Sequence, residues 1–247
     1  MRASGPDGRL DPAPTPGDSD LLLLGDSVAY NLVPSLVERG RARGLKVTHA
    51  TALGCISLRS DGMRLPGNVD FPVTHCEEER GHWRERAQRR PRRVLIVEGW
   101  PGAGTVRIGD RWTDACDPAL TRQYVDDLSG LVKTFQGFGA QVIIARLSPA
   151  SVPDLKPGLR SLWGEVSDET IQRELDMRMA CLNHARDRAA NRVGARLLDF
   201  RELMCPEGRC RRRADGHVLR SDGVHFRAEG ARIAADWILD HIPTRSP

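Results

Sequence analysis

The most constraining feature of the sequence is an apolar run, residues 21–24, that ends directly in Gly25-Asp26-Ser27. The residues that follow carry apolar side chains at helical spacing, namely Val28, Leu32, Leu36 and Val37. An apolar run followed by this pattern predicts a β-strand that turns into a helix at Ser27. A hydroxyl at such a junction lies beside the unpaired N–H groups of the first helical turn. Asp26 is predicted to hydrogen-bond this turn. Alone the tripeptide is a weak signal, because a serine here also serves as an ordinary helix N-cap.

A second motif, Asp222-Gly223-Val224-His225, lies near the other end of the chain. Ser27 is a poor nucleophile without an adjacent base, and His225 is the best candidate among the seven histidines. With this spacing at the start of a helix, Asp222 accepts from one ring nitrogen while the other faces Ser27. The alternative is that Asp222 caps the helix and His225 is an ordinary surface residue. The two motifs together favour a nucleophile, base and orienting carboxylate, as in a serine esterase or acyltransferase.

Strand and helix patterns alternate along the rest of the chain. Further strands are predicted at residues 45–50, 92–98, 140–145 and 195–200, and long helices at residues 118–137 and 168–192. The alternation predicts right-handed crossovers and an α/β fold of three layers, α/β/α, around a parallel, flavodoxin-like sheet of five strands. Ligands of such sheets bind beyond the carboxyl ends of the strands, where Ser27, the loop after residue 50 and the loop after Glu98 would meet.

Length and composition predict a single domain over residues 21–243. A chain of 247 residues with 40% hydrophobic residues can bury one substantial core. Residues 1–20 are rich in Pro, Gly and Asp and are interpreted as a disordered tail or linker. They lack the apolar core of a signal peptide, and the longest apolar run is too short to span a bilayer, so no membrane insertion is predicted. Residues 57–90 are predicted to be a long irregular stretch that forms a lid or pocket wall.

The net charge of +4 comes from arginine-rich usage, with clusters at residues 84–93 and 209–213. Such clusters can bind nucleic acid. Here the arginines are interleaved with glutamate, aromatic residues make up only 5%, and no nucleic-acid-binding motif is present. The clusters are therefore interpreted as solvated surface, and no nucleic-acid partner is predicted.

The two motifs resemble those of the SGNH (GDSL) hydrolase superfamily, which has Gly-Asp-Ser after the first strand and Asp-x-x-His before the final helix. Gly54-Cys55 and Leu203-Met204-Cys205-Pro206 resemble more closely the SGNH domains attached to membrane acyltransferases of the acyltransferase-3 type. The similarity covers nearly the whole chain. It implies a serine-dependent esterase or O-acyltransferase that forms an acyl-Ser27 intermediate and acts on acyl esters of a carbohydrate or natural product. The implied partners are an acyl donor, a hydroxyl-bearing acceptor and a membrane acyltransferase, with no metal or cofactor.

An acyl-transfer site also needs donors for the oxyanion of its tetrahedral intermediate, and the N–H groups of Ser27 and Gly54 are the candidates. The alternative for Gly54 is a simple turn after the second strand. The superfamily normally adds an asparagine from a Gly-x-Asn-Asp block, but this chain has Gly99-Trp100-Pro101-Gly102 there. Trp100 and Gly102 are predicted to bind substrate, although core filling explains a tryptophan equally well. The missing asparagine supports a rival interpretation, a non-catalytic glycan-binding domain.

Six cysteines allow 15 disulfide pairings. Cys205 and Cys210 enclose a short turn-forming stretch, and the family resemblance also favours a bridge between them. Cys55 with Cys76 is the second predicted pair.

The cysteines also bear on metal binding and location. His75, Cys76 and His82 lack the paired spacing of a zinc site, so no metal is predicted. Disulfides require an oxidising compartment, which favours an extracytoplasmic location. A chain that is complete as given, without an export segment, favours the cytoplasm instead.

Overall fold

The computed structural model describes residues 19–99 and 104–242, in which strands and helices alternate. The strands are β1 (Leu21–Gly25), β2 (Val47–Thr51), β3 (Gly62–Leu65), β4 (Val69–Phe71), β5 (Arg93–Val97), β6 (Thr105–Ile108), β7 (Arg111–Thr113), β8 (Gln141–Arg146), β9 (Arg196–Asp199), β10 (Arg213–Ala214) and β11 (His217–Val218). The helices are α1 (Ser27–Ala42), α2 (Cys76–Gln88), α3 (Pro118–Gly137), α4 (Pro157–Arg160), α5 (Asp168–Val193), α6 (Arg201–Met204) and α7 (Ala228–His241). The five predicted strands correspond to β1, β2, β5, β8 and β9, and the two predicted long helices to α3 and α5.

Five strands form one parallel sheet in the order β2-β1-β5-β8-β9. Numbered along the chain within this sheet, the order is 2-1-3-4-5, which is the flavodoxin-like order. The chain reverses its direction across the sheet between β1 and β5, and ligand sites of such folds lie at the carboxyl ends of the strands beside this switch point. The predicted three-layer α/β/α fold is confirmed.

Alternate side chains of β1 point to opposite faces of the sheet, and each face has its own apolar core. Leu21 and Leu23 pack with α1 and α7, whereas Leu22 and Leu24 pack with α3 and α5. All four leucines are buried. The unbroken apolar run before Gly25 is thus the sequence signature of a strand that is covered on both faces.

The prediction of an irregular stretch over residues 57–90 is wrong, because this segment contains β3, β4 and α2. β3 and β4 belong to a second, antiparallel sheet of order β4-β3-β6-β7. Its strands have only three or four residues each, too few to show a clear alternating pattern. α2 buries only Cys76, Trp83 and Ala87 among many charged residues, so its helical period is hidden in the sequence. Part of the arginine cluster at residues 84–93 therefore lies on α2.

The folded domain begins before the predicted boundary at residue 21. The N–H of Arg92 donates to the carbonyl of Ser19 at 3.0 Å, and the N–H of Lys46 donates to the carboxylate of Asp20 at 2.9 Å. Ser19 and Asp20 therefore pack against the sheet, while the rest of the predicted tail lies outside the described residues. Among the described helices, none combines the length and the apolar character that a bilayer span requires.

All six cysteines lie in the described residues and are paired, as Cys55–Cys76, Cys116–Cys181 and Cys205–Cys210. The first and third bridges match the predicted pairs. The second was not predicted and joins the turn before α3 to the middle of α5. Cys76 lies near His75, but its sulfur is bonded to Cys55 and is not the thiolate that a metal ion would need.

Candidate active site

The turn between β1 and α1 presents Ser27 and requires glycine just before it. Gly25 has a φ of 138°, in the region that favours glycine, and a Cβ there would overlap the carbonyl oxygen of Val97. β1 can therefore lie this close to β5 only with glycine at its end. Ser27 is the first residue of α1, so its N–H belongs to the helical turn whose donors have no partner within the helix.

Asp26 holds this turn, as predicted. Its carboxylate accepts from the N–H of Val28 at 2.9 Å, which makes it the N-cap of α1. Its other oxygen accepts from the N–H of Gly99 at 2.8 Å, just beyond the end of β5. The buried Asp26 side chain thus joins the Ser27 turn to the neighbouring strand.

Ser27, His225 and Asp222 lie in one hydrogen-bonded chain. His225 Nε2 lies 2.9 Å from Ser27 Oγ, although the two residues are 198 positions apart in the sequence. His225 Nδ1 lies 3.0 Å from Asp222 Oδ2. These contacts orient one ring nitrogen toward the hydroxyl and the other toward a carboxylate, which is the arrangement that general-base activation of a serine needs.

Asp222 is almost fully buried, with 2% of its surface exposed. Burial would raise the pKa of Asp222, but hydrogen bonds from the ring and backbone of His225 hold this pKa well below its usual range. The N–H of Val224 also donates to the carboxylate at 3.1 Å, and Arg227 Nε lies 3.0 Å from Oδ2. Asp222 is therefore ionised at neutral pH, and its carboxylate orients the ring of His225 toward Ser27.

The Asp-x-x-His segment lies in a turn that precedes α7, not at the start of the helix as predicted, since α7 begins at Ala228. Gly223 has a φ of 78°, and its carbonyl accepts from the N–H of Ser151 at 2.8 Å. A Cβ at Gly223 would lie 2.5 Å from the carbonyl oxygen of Ser151. The turn is thus packed tightly against the segment that follows β8.

Gly54 lies in the turn after β2. The N–H of Ala52 donates to the carbonyl of Gly25 at 3.0 Å. This hydrogen bond joins the turn after β2 to the residue two positions before Ser27. A Cβ at Gly54 would overlap the ring of Phe71, which is a packing reason for glycine independent of any oxyanion. Gly54 is not among the described residues that line the cavity beside Ser27.

A cavity of about 130 Å³ lies beside Ser27 and His225. Its walls are mostly apolar, and they include Leu65 at the end of β3, Pro66 in the β3–β4 connection and several side chains from residues 155–163. The predicted pocket wall within residues 57–90 is therefore present, at the tip of a β-hairpin.

A family model described as the SGNH domain (fused to AT3 domains) matches residues 2–240. The chain belongs to this SGNH family. It is accordingly an SGNH/GDSL-type enzyme of the esterase and acyltransferase class. No curated protein sequence matches this SGNH domain.

Three solved structures illustrate the shared fold. The periplasmic domain of lipopolysaccharide acetyltransferase from Salmonella ser. Paratyphi A has a TM-score of 0.59 at 16% identity, covering 91% of this chain and 84% of that one. An α/β hydrolase enzyme from the metagenome of Lake Arreo, Spain, has a TM-score of 0.51 at 15% identity, covering 92% and 96%. A GDSL-like lipase from Bacteroides thetaiotaomicron has a TM-score of 0.50 at 15% identity, covering 89% and 85%.

Two predicted substrate-binding residues of this SGNH domain, Trp100 and Gly102, lie outside the described residues. Their neighbour Gly99 is described and lines the cavity, and its N–H is used by the carboxylate of Asp26. The Gly99 N–H therefore donates to Asp26 and stabilises the Ser27 turn.

Glu98 is a buried acidic residue near the site, for which no role was predicted. Only 1% of its surface is exposed, and its carboxylate accepts from the N–H of Ser57 at 2.7 Å and from the hydroxyls of Ser57 and Tyr124, each at 3.0 Å. Arg186 donates to its backbone carbonyl. Glu98 thereby joins the loop that carries Gly54 to the end of β5. A glutamate directly after the apolar residues 94–97 was the available sequence signal.

Burial raises the pKa of Glu98 to about 7, while the hydrogen bonds from Ser57 and Tyr124 oppose this rise. In the unfolded chain a glutamate ionises near its ordinary pKa of about 4.3, so the unfolded state loses this proton first. The free energy of unfolding contributed by Glu98 is therefore highest below pH ~4 and falls as the pH rises to about 7.

Replacing Glu98 with glutamine should remove this pH dependence. We expect the stability of Glu98→Gln relative to the native protein to increase by on the order of 3 kcal/mol between pH 4 and pH 8. Urea unfolding across this pH range measures the difference. The exposed Glu165 serves as the control, since Glu165→Gln should shift the curve little. Parallel stability curves for Glu98→Gln and the native protein would contradict a raised pKa.

Proposed function

We propose that this SGNH domain passes an acyl group through an ester of Ser27, to water or to a hydroxyl of a carbohydrate or natural product. The observation that carries the proposal is the chain of hydrogen bonds from Ser27 through His225 to the buried Asp222. A binding domain without chemistry has no use for an ionised, buried carboxylate that orients a histidine toward a serine hydroxyl. The non-catalytic glycan-binding alternative is therefore disfavoured.

In the first half-reaction, Ser27 Oγ attacks the carbonyl carbon of the acyl ester, and His225 Nε2 takes the hydroxyl proton. The carbonyl π electrons move onto oxygen and form a tetrahedral oxyanion. When that intermediate collapses, the bond to the leaving oxygen breaks and His225 returns the proton to this oxygen. An alcohol departs and the acyl group remains on Ser27.

In the second half-reaction, water or an acceptor hydroxyl attacks the acyl-Ser27 carbonyl and gives its proton to His225. Collapse of the second intermediate breaks the bond to Ser27 Oγ, which recovers the proton. In this scheme Asp222 stabilises the imidazolium in both steps. The N–H groups of Ser27 and Gly54 are the proposed oxyanion donors, each commonly worth a factor of about 100 or more in rate.

We infer an extracytoplasmic location. Three disulfides need an oxidising compartment to form and persist. The Salmonella domain with the same fold is periplasmic by its own description. Since the family is described as fused to AT3 domains, a membrane acyltransferase is the proposed source of the acyl group.

One incubation tests the proposal. The protein is mixed with p-nitrophenyl butyrate and a panel of glycans, quenched at short times, and analysed by mass spectrometry. We expect a butyryl adduct on the peptide that contains Ser27, followed by free butyrate, acylated glycan or both. A dominant acylated product identifies a transferase, and free acid alone identifies an esterase. Absence of both adduct and product, with a glycan bound in calorimetry, would contradict the proposal and support the glycan-binding alternative.

A further inference from the structure

We propose that the cavity beside Ser27 is an acyl-chain subsite, which selects an aliphatic acyl group of about four to six carbons over acetyl. This inference rests on the proposed acyl-Ser27 intermediate. It concerns the class of acyl group, which neither the family nor the shared fold specifies.

The lining of the cavity suits a hydrocarbon chain. Ser27 and His225 lie in its wall, so an acyl group on Ser27 Oγ starts inside it. Most of the remaining wall is made of aliphatic, thioether and aromatic side chains, including Leu147, Leu155, Leu159, Leu175, Met179 and Phe200. A hydrocarbon chain in this cavity leaves water without giving up hydrogen bonds, whereas a sugar hydroxyl would find few partners.

The size of the cavity sets the chain length. An engineered apolar protein cavity of about 150 Å³ holds benzene, which has six carbons. The volume here, about 130 Å³, therefore corresponds to a chain of about five carbons. An acetyl group would place one methyl in this space and leave most of the wall without contacts.

Two loop segments hold the outer walls in place. The end of β3 and the connection to β4 contribute Leu65 and Pro66. The neighbouring Gly67 lies so close to Leu162 that a Cβ at Gly67 would be 2.7 Å from the Leu162 carbonyl oxygen. On the other side, the N–H of Ser151 is bonded to the carbonyl of Gly223 in the catalytic turn. The cavity wall is thus tied to the turn that carries His225, which favours a pre-formed site.

The cavity wall also contains polar side chains, among them Ser148 and Arg220. Arg220 lines the cavity and donates to the carbonyl of Ser148, at 3.4 Å. Burial lowers the pKa of Arg220 to about 10, and the nearby carboxylates of Asp154 and Asp222 oppose that shift. These two carboxylates favour the charged form of Arg220, but Asp154 is paired with Arg212, and Asp222 with Arg227 and His225. Arg220 Nε and Ser148 Oγ have no hydrogen-bond partner within the described chain, so an acyl chain that ends in a carboxylate is included in the test.

The test measures kcat/KM for p-nitrophenyl esters from acetyl to decanoyl, together with the succinyl half-ester, each divided by its uncatalysed rate. For the native protein we expect kcat/KM to rise up to about fourfold per added methylene as far as hexanoyl. Beyond that length the chain exceeds the cavity, and the rate should level off or fall.

Variants of Leu159, which is half-buried in the cavity wall, test whether the acyl chain binds in this cavity. Leu159→Trp fills the cavity and should lower the hexanoyl-to-acetyl ratio of kcat/KM by about tenfold or more. Leu159→Ala enlarges it and should move the preferred length up by about two carbons. Val37→Trp places the same ring on the outer face of α1, away from the cavity, and should leave the ratio unchanged.

The outcomes separate this inference from the proposed function. A native preference for acetyl, with turnover still dependent on Ser27, would overturn the acyl-chain subsite and leave the acyl-enzyme mechanism intact. A preference for succinyl over butyryl would replace the aliphatic chain with an anionic one. An unchanged ratio in both Leu159 variants would place the chain elsewhere. Absence of Ser27-dependent turnover for every ester would overturn the proposed function and this inference with it.

Discussion

Replacement of Ser27 with alanine should lower the turnover of p-nitrophenyl butyrate by a factor on the order of 10⁴ to 10⁶. The hydroxyl is the proposed attacking atom, and its side-chain contact is with His225. Because that contact contributes little to packing, the melting temperature of Ser27→Ala should stay close to that of the native protein. Ser35 on the same helix is the matched control, since Ser35→Ala removes a hydroxyl remote from the cavity and should keep its activity.

Substitutions of His225 and Asp222 test whether the three residues act together. His225→Ala and Asp222→Asn should each lower turnover strongly, and a Ser27→Ala/His225→Ala double variant should be no slower than Ser27→Ala. Groups that act as one unit give such non-additive losses. A fluorophosphonate probe should label the native protein on Ser27 and leave Ser27→Ala unlabelled. Full activity in Ser27→Ala, or additive losses in the double variant, would contradict the nucleophile and base roles.

Removal of the Cys116–Cys181 bridge should produce the largest loss of stability among the three disulfides. It closes the longest loop, with a sequence separation of 65, against 21 for Cys55–Cys76 and 5 for Cys205–Cys210. In the chain-entropy account, the double variant Cys116→Ala/Cys181→Ala loses about 4 kcal/mol of unfolding free energy, and Cys205→Ala/Cys210→Ala about 2 kcal/mol.

Urea unfolding of each double variant under non-reducing conditions measures these losses. Cys116 and Cys181 are half-buried, so the alanine substitutions themselves should remove little packing. Equal losses for the long and the short loop would contradict the entropic explanation. A loss of about 4 kcal/mol is a large share of the stability of an ordinary domain, which supports maturation in an oxidising compartment.

Local sequence carried enough information to predict the main sheet and the Ser27 turn. The residues that signal each of these features are neighbours in the sequence. The apolar run of β1 is covered on both faces, the Gly25 position tolerates only glycine beside β5, and Asp26 caps the helix that follows. The bridge between Cys205 and Cys210 is equally local, because five positions separate them.

The contacts that could not be predicted from the sequence join segments that are far apart in the chain. The distance of 2.9 Å between Ser27 and His225 spans 198 residues and depends on how the turn before α7 packs against the segment after β8. The hydrogen bonds that hold the buried Glu98 carboxylate come from Ser57 and Tyr124, which are 41 and 26 positions away in the sequence. The second sheet has strands too short to show a period. The cavity beside Ser27 has walls from several separate segments, so its volume depends on how these segments pack and is not encoded in any one of them.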